Sequence, residues 1–190
     1  MRTFEDLTIS TPRLLLRPMT ESDAPALFAV FSDPKVMRYW SSAPWESMQR
    51  AHEMIQRDAA SMRVGESLRL GIVRKSDDAL LGMCTLFAFS ATCRRAEIGY
   101  ALASAAWGQG YMDEALRALL DYGFGALELN RVEADIDPRN EASARSLERL
   151  GFEREGLLRE RWIVGEEISD TAFYGLLARD WDAIRSRERD

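Results

Sequence analysis

Histidine is almost missing from this chain. His52 is the only one, and its polar, helix-like surroundings predict a surface position, so a Ser-His-Asp or Cys-His triad has nothing else to rest on. Cysteine is nearly as scarce. Cys84 and Cys93 stand alone, which leaves no ligand cluster at metal-binding spacing and predicts no metal site. Both thiols read as small buried hydrophobes in a reducing cytoplasm. Long apolar runs are lacking too: none approaches the roughly 20 residues needed to cross a bilayer, and no secretory signal precedes the first strand. The expectation is a cytoplasmic protein without a membrane partner. Positive charge is the last deficit. Lys and Arg number 25 against 31 Asp and Glu, a net charge of −6, which argues against a nucleic-acid partner and makes a cationic amine electrostatically more natural.

What is present suits a folded globular chain. With 190 residues, 46% hydrophobic and 29% charged, there is material for one well-buried core and too little for two independent ones, so a single domain over 1–190 is expected, its core spanning about 10–180. Strands are predicted at 13–17, 68–74, 80–89, 94–102 and 131–136, with two more around the turn Val164-Gly165-Glu166. Thr20-Glu-Ser-Asp23 has the form of a capping box opening a helix to about Phe31. Further helices are predicted at 46–62, from Asp113 and from Asn140 to Leu150, where Gly151 is placed as a left-handed cap. Residues 179–190 read as a charged tail. Strands and helices mix without regular alternation, which favours an α+β domain over a doubly wound sheet.

The most informative stretch is Glu97-Ile-Gly-Tyr-Ala-Leu followed by Trp107-Gly-Gln-Gly-Tyr-Met. Alternation puts Ala96, Ile98, Tyr100 and Leu102 on one strand face and Glu97, Gly99 and Ala101 on the other, leaving the second face nearly bare with a carboxylate at its end. Gly99 as a bulge beside a solvated Glu97 is the competing description. Gly108 and Gly110 then turn the chain into a helix whose first N–H groups lack internal partners, a site for a phosphate-sized anion. No Lys or Arg lies between Arg95 and Arg117, so a lysine-dependent triphosphate loop is excluded and main-chain amides must do the holding. Asp113 replaces the third glycine of a dinucleotide fingerprint. Met112, Ala115, Leu116, Leu119 and Leu120 recur at helical spacing as a core stripe, and Asp113 and Glu114 should point away from a bound phosphate. Taken alone, two glycines before a helix also describe an ordinary strand-to-helix turn.

Four blocks in order change the balance. Ala96-Glu-Ile-Gly-Tyr, Trp107-Gly-Gln-Gly-Tyr-Met-Asp-Glu-Ala, Asn130-Arg-Val-Glu-Ala and Asp137-Pro-Arg-Asn-Glu-Ala-Ser-Ala-Arg-Ser-Leu-Glu-Arg-Leu-Gly-Phe resemble the GNAT superfamily of acyl-CoA N-acyltransferases, and within it the RimJ/RimL subgroup. Thr11-Pro-Arg-Leu-Leu-Leu-Arg and Arg154-Glu-Gly-Leu-Leu-Arg-Glu match as well, so the resemblance covers nearly the whole chain.

This resemblance implies a mixed, mostly antiparallel twisted sheet flanked by helices, with acetyl-CoA lying between two splayed strands at 97–102 and 131–137. It implies transfer of the acetyl group to a primary amine, either a protein N-terminus or a small molecule. The pyrophosphate would rest on the amides of Gln109, Gly110, Tyr111, Met112 and Asp113, the acetyl carbonyl on amides near Tyr100, Ala101 and Leu102, and the pantetheine arm on Asn140. Asn140 reads equally as a helix N-cap, and both roles are compatible. Glu97 occupies the position of a general base and Ser143 lies near the thioester sulfur. The superfamily's Arg/Gln-x-x-Gly-x-Gly/Ala pattern has Trp107 first and Met112 last here. Its acid tyrosine corresponds to Leu147, which leaves Ser143, another tyrosine or solvent as the acid. A non-catalytic acyl-CoA-binding or regulatory module is the competing reading. Tyr39, Trp40, Trp45 and Trp162 either line an acceptor groove or pack the core. The oligomeric state stays open, a homodimer included.

Overall fold

The computed structural model describes residues 3–188. Within them the chain runs β1 (Ile9–Ser10), β2 (Leu14–Arg17), α1 (Ala24–Ser32), α2 (Pro34–Met37), α3 (Gln49–Val64), β3 (Leu68–Arg74), β4 (Ala79–Ser90) and β5 (Arg95–Leu102). It continues through α4 (Tyr111–Gly125), β6 (Arg131–Ile136), α5 (Glu141–Arg149), β7 (Glu153–Val164), β8 (Glu167–Leu177) and α6 (Ala178–Arg187). The strands form one sheet in the order β1-β2-β3-β4-β5-β6-β8-β7. Every neighbouring pair is antiparallel except β5 and β6. A parallel pair needs a crossover between its strands, and α4 is that crossover. The α+β architecture expected from the element order is the one observed.

Period-two patterning decides which face each strand buries. Leu14, Leu16, Leu70, Cys84, Leu86, Ala96 and Ile98 point to the face covered by α4, whose Ala115, Leu116, Leu119 and Leu120 are fully buried against them. Burying a Leu side chain contributes roughly 1.5–3 kcal/mol, so this stripe fixes the start of α4 firmly. Met83 and Ala101 point the other way, into a second cluster with Leu27 and Phe31 of α1 and Ala51 and Ile55 of α3. The middle of the sheet is therefore covered on both faces, while β7 at its edge is exposed along nearly its whole length.

Local signals act as the sequence predicts at several ends. The Thr20 N–H donates to Asp23 Oδ2 at 2.7 Å, and the turn it closes leads into α1. Asn140 Oδ1 accepts from the Ser143 N–H at 3.1 Å as the N-cap of α5. Gly151 has φ +90°, and a Cβ there would lie 2.2 Å from Ile184 Cδ1, so backbone and packing both demand glycine.

Three expectations are corrected. Residues 178–187 are helix α6 rather than a charged tail: Trp181 is 1% exposed and its indole N–H donates to Asp121 at 3.0 Å. One aromatic anchor inside a charged run gave no helical periodicity to read; residues 189 and 190 lie outside the described residues. Cys93 is exposed in the turn between β4 and β5, and only Cys84 is a buried thiol. Helix α3 starts at Gln49 instead of residue 46, because the Trp45 N–H is drawn to the Phe31 carbonyl at 2.8 Å and holds that segment as a loop. His52 is on the surface as expected, its Nδ1 2.5 Å from Glu21 Oε2.

Candidate active site

Strands β5 and β6 pair over three positions only, Arg95 with Arg131, Ala96 with Val132 and Glu97 with Glu133. Beyond Glu97, β5 stays with β4 as far as Leu102 opposite Gly82, while β6 follows β8 as far as Ile136 opposite Ala172. The two strands part, and one edge of β5 is left with no strand partner. Tyr100 and Ser143 meet across this wedge: their hydroxyl oxygens are 2.6 Å apart. Tyr100 keeps some accessible ring surface, but its hydroxyl end is desolvated, which pushes its pKa up to about 12. Ser143 stands in the first turn of α5, oriented by the Asn140 cap.

The wedge opens into a cleft of about 350 Å³ whose lining includes Glu97, Gly99, Tyr100, Asp135, Asn140 and Ser143. The Glu97 carboxylate has no hydrogen-bond partner among the described residues. Its pKa is raised, chiefly by desolvation and then by the carboxylates of Asp135 and Glu133. Glu133 is itself held by Arg95 at 2.5 Å and Arg131 at 2.8 Å, so Glu97 is the carboxylate left available. Across the cleft, Arg161 Nε lies 3.4 Å from Asp135 Oδ2. Arg161 reaches it from an irregular stretch of β7, where the pairing with β8 shifts register between Leu158 and Trp162.

The structure separates the four candidate aromatic residues. Tyr39, Trp40 and Trp162 line the cleft. Trp45 does not: it is 9% exposed and stacks on Phe31 with ring centroids 4.6 Å apart, so its bulk fills the core under α1. Tyr39 is held between two guanidinium groups, Arg38 at 5.1 Å and Arg139 at 5.7 Å from its ring centre. Both arginines also bind Glu167, which ties α2 to the start of β8.

Gly108 and Gly110 adopt φ +73° and +75°, the left-handed conformation that glycine takes without strain. The Glu114 N–H makes the first helical bond, to the Gly110 carbonyl, so the amides of Tyr111, Met112 and Asp113 precede the internal ladder of α4. Asp113 is drawn to Arg117 at 2.8 Å. Glu114 accepts from the Thr11 hydroxyl at 2.6 Å and from Arg13 Nε at 2.6 Å. Neither carboxylate is free to face an anion at the helix end. The loop lies past Leu102 at the far end of β5 and contributes no lining to the cleft. Ala101 and Leu102 bury their side chains, leaving only their backbone for a ligand.

Sequence reasoning missed Arg13. Its Nη1 donates to the Gln109 carbonyl at 2.9 Å and its guanidinium lies 4.6 Å from the Tyr111 ring centre. The loop is therefore braced by an arginine brought in from the start of the chain, although none is near it in sequence. The signal was the Thr11-Pro-Arg block beside an acidic first turn in α4, which needed a cation from elsewhere. Asp135 and Arg161 were missed as well. Leu147 is fully buried, so the helix position that the resemblance assigns to an acid tyrosine is a core position here.

A splayed parallel pair, a glycine turn into α4 and an unpaired carboxylate at the fork define an acyl-CoA-dependent transferase class. The Acetyltransferase (GNAT) domain model matches residues 13–153, and the chain belongs to this family, in its RimJ/RimL-type branch. It is an N-acetyltransferase, and enzymes of this family use acetyl-CoA. It is 38% identical over 169 residues to the uncharacterized N-acetyltransferase YoaA of Bacillus subtilis, covering 89% of this chain and 96% of that one. Among solved structures, the spermidine N-acetyltransferase of Vibrio cholerae in complex with CoA and spermine superposes with a TM-score of 0.79 at 22% identity, covering 90% and 99% of the two chains. The ribosomal-protein-S5-alanine acetyltransferase of Vibrio fischeri superposes with a TM-score of 0.81 at 22% identity, covering 93% and 99%. No helix among the described residues is long and apolar enough to cross a membrane.

Proposed function

We propose that this enzyme moves the acetyl group of acetyl-CoA directly onto a primary amine, with Glu97 as general base. The observation that carries this reading is the fork itself: β5 and β6 part at the residue whose carboxylate is unpaired and raised in pKa. An amine is mostly ammonium at neutral pH and must lose a proton before it attacks. A carboxylate with a raised pKa accepts that proton, directly or through a water, more readily than an ordinary glutamate does. The neutral nitrogen then attacks the thioester carbonyl, and unpaired amides of β5 beyond Glu97 stabilise the oxyanion. As the carbon–sulfur bond breaks, the departing thiolate takes a hydrogen bond from the Ser143 and Tyr100 pair. The high pKa of Tyr100 suits a donor that keeps its own proton. Asn140 and the amides of residues 109–113 serve the pantetheine arm and the pyrophosphate, with Arg13 bracing the loop that carries those amides.

The acceptor is a protein N-terminus or a small-molecule amine; enzymes of the same fold are named for an alanine of ribosomal protein S5 and for spermidine. The test is thiol release by purified enzyme with acetyl-CoA and a panel of amines and peptides. Glu97→Gln should lower kcat/KM by roughly 10²–10⁴ while leaving CoA binding by calorimetry in place. Unchanged turnover in Glu97→Gln, or tight CoA binding with no turnover on any amine, refutes the reading.

A further inference from the structure

The face of the sheet turned toward α1 and α3 carries a polar row that acetyl transfer leaves unused. Arg69 of β3 lies directly opposite Thr85 of β4, and Thr85 directly opposite Gly99 of β5. Residues paired in this way share one face. Glu97 lies on the same face two residues before Gly99, and all four line the cleft. Two strand spacings put Arg69 about 10 Å from Gly99.

Two donors in this row have nothing to donate to. Thr85 is 2% exposed, and its Oγ1 has no hydrogen-bond partner among the described residues. Arg69 gives its Nη1 to both oxygens of the buried Asp58, at 3.0 and 3.2 Å, but its buried Nε has no partner. Buried polar groups are nearly always paired in folded proteins, and two orphans on adjacent residues of a cleft wall point to a ligand. The chemistry of that ligand follows from the groups. Arginine Nε only donates, and a threonine hydroxyl can donate beside it, so together they suit one acceptor oxygen. Asp58 fixes the guanidinium from behind, and the methyl group of Thr85 is packed near the space above Gly99.

We propose that Arg69 and Thr85 form an acceptor-recognition subsite that takes a carbonyl or carboxylate oxygen of the amine substrate. This rests on the transfer reading above and narrows it. An amine that carries such an oxygen, as a peptide N-terminus or a free amino acid does, satisfies both donors while its nitrogen is at Glu97. A polyamine has no acceptor oxygen. It would leave the donors orphaned.

The test compares kcat/KM for short peptides, free amino acids, spermidine and simple alkyl amines, using wild type, Thr85→Val and Arg69→Lys. Wild type should favour oxygen-bearing amines. Each substitution should reduce that preference by about tenfold, mainly through KM for the acceptor, with KM for acetyl-CoA unmoved. Thr85→Val is isosteric and removes an unpaired buried hydroxyl, so its fold is expected to hold, and thermal unfolding checks this. Whether peptides or free amino acids gain more identifies the source of the oxygen. Turnover with the selectivity ratio unchanged in both variants overturns the subsite alone, as does a wild-type preference for spermidine. No turnover on any amine in any variant overturns the transfer reading together with it.

Discussion

Among the described residues the contact between Tyr100 and Ser143 is the only side-chain hydrogen bond between β5 and α5, and its removal is measurable in two currencies. Tyr100→Phe deletes one oxygen and keeps the ring packed, leaving the Ser143 hydroxyl without its 2.6 Å partner. Ser143→Ala leaves the phenol instead, in a desolvated position. Orphaning a buried polar group costs about 1–3 kcal/mol, whereas removing both partners is nearly neutral. The single substitutions should therefore each destabilise by about 1–2 kcal/mol, and the double variant by less than their sum, with a coupling of about 1–2 kcal/mol. Urea unfolding measures this, provided the slope is the same in all four proteins.

A pH series adds an independent sign. The Tyr100 phenol is raised from 10.0 in the unfolded chain to about 12 in the folded one. Its contribution is fully present below pH 10 and lost as pH rises toward 12, because the unfolded state gives up its proton first. Wild-type stability should fall across that window more steeply than that of Tyr100→Phe. Single costs that add to within about 0.5 kcal/mol would refute the bridge across the wedge, and identical alkaline slopes would refute the burial of the phenol that raises its pKa.

Other outcomes test the site and the fold separately. With Glu97 as the proposed base, its raised pKa should shift the acid limb of kcat/KM to higher pH than an ordinary glutamate gives, with activity lost as pH falls; Asp135→Asn removes a neighbouring negative charge and should move that limb to lower pH. A thiol reagent should modify Cys93 in the native protein and Cys84 only after unfolding, since burial holds Cys84 as a thiol with a pKa pushed up to about 12. Trp181→Ala should cost about 3–5 kcal/mol, read by denaturant unfolding, because it empties a fully buried site between α6 and α4.

How much of this was legible depended on the range of the forces involved. The alternation along β5, the two glycines, the stripe of α4, the Asn140 cap and the Gly151 cap are local, and each can be read from neighbours in sequence. Cys93 and α6 differ from the expectation because their signals are weak: a turn cysteine resembles a buried one in isolation, and Trp181 and Ile184 are only two apolar anchors among charges. Trp40 and Trp45 are five residues apart and both pack on Phe31, Trp45 stacked on the ring and Trp40 edge-on to it with part of its surface in the cleft, a division set by contacts between separate segments. Arg13 at the glycine loop, Asp135 and Arg161 at the cleft and the row from Arg69 to Thr85 all arise from strand register or from contacts between distant segments. Register is set by the whole sheet, and no window of sequence contains it.

The position of the cleft follows from one topological choice. In an antiparallel sheet a strand can keep its neighbour along its full length, because a short turn joins them. The β5–β6 pair is instead joined through α4, and a crossover helix fixes where the second strand enters but not where it ends. After Glu133, β6 is committed to β8 by further register positions down to Ile136, while β5 is committed to β4 down to Leu102. Each strand twists with the partner it keeps, so the pair must open where the parallel ladder stops. Glu97 is the last residue of β5 paired with β6, which puts its carboxylate where the parallel ladder stops and the fork opens. Moving that carboxylate two residues along β5 would put it at Gly99, past the end of the parallel ladder, and moving it back would put it at Arg95, opposite Arg131 within the ladder. On the proposed mechanism the position of the base is set by the end of the parallel ladder, and relocating the carboxylate without shifting the ladder should abolish acetyl transfer even if its pKa is kept.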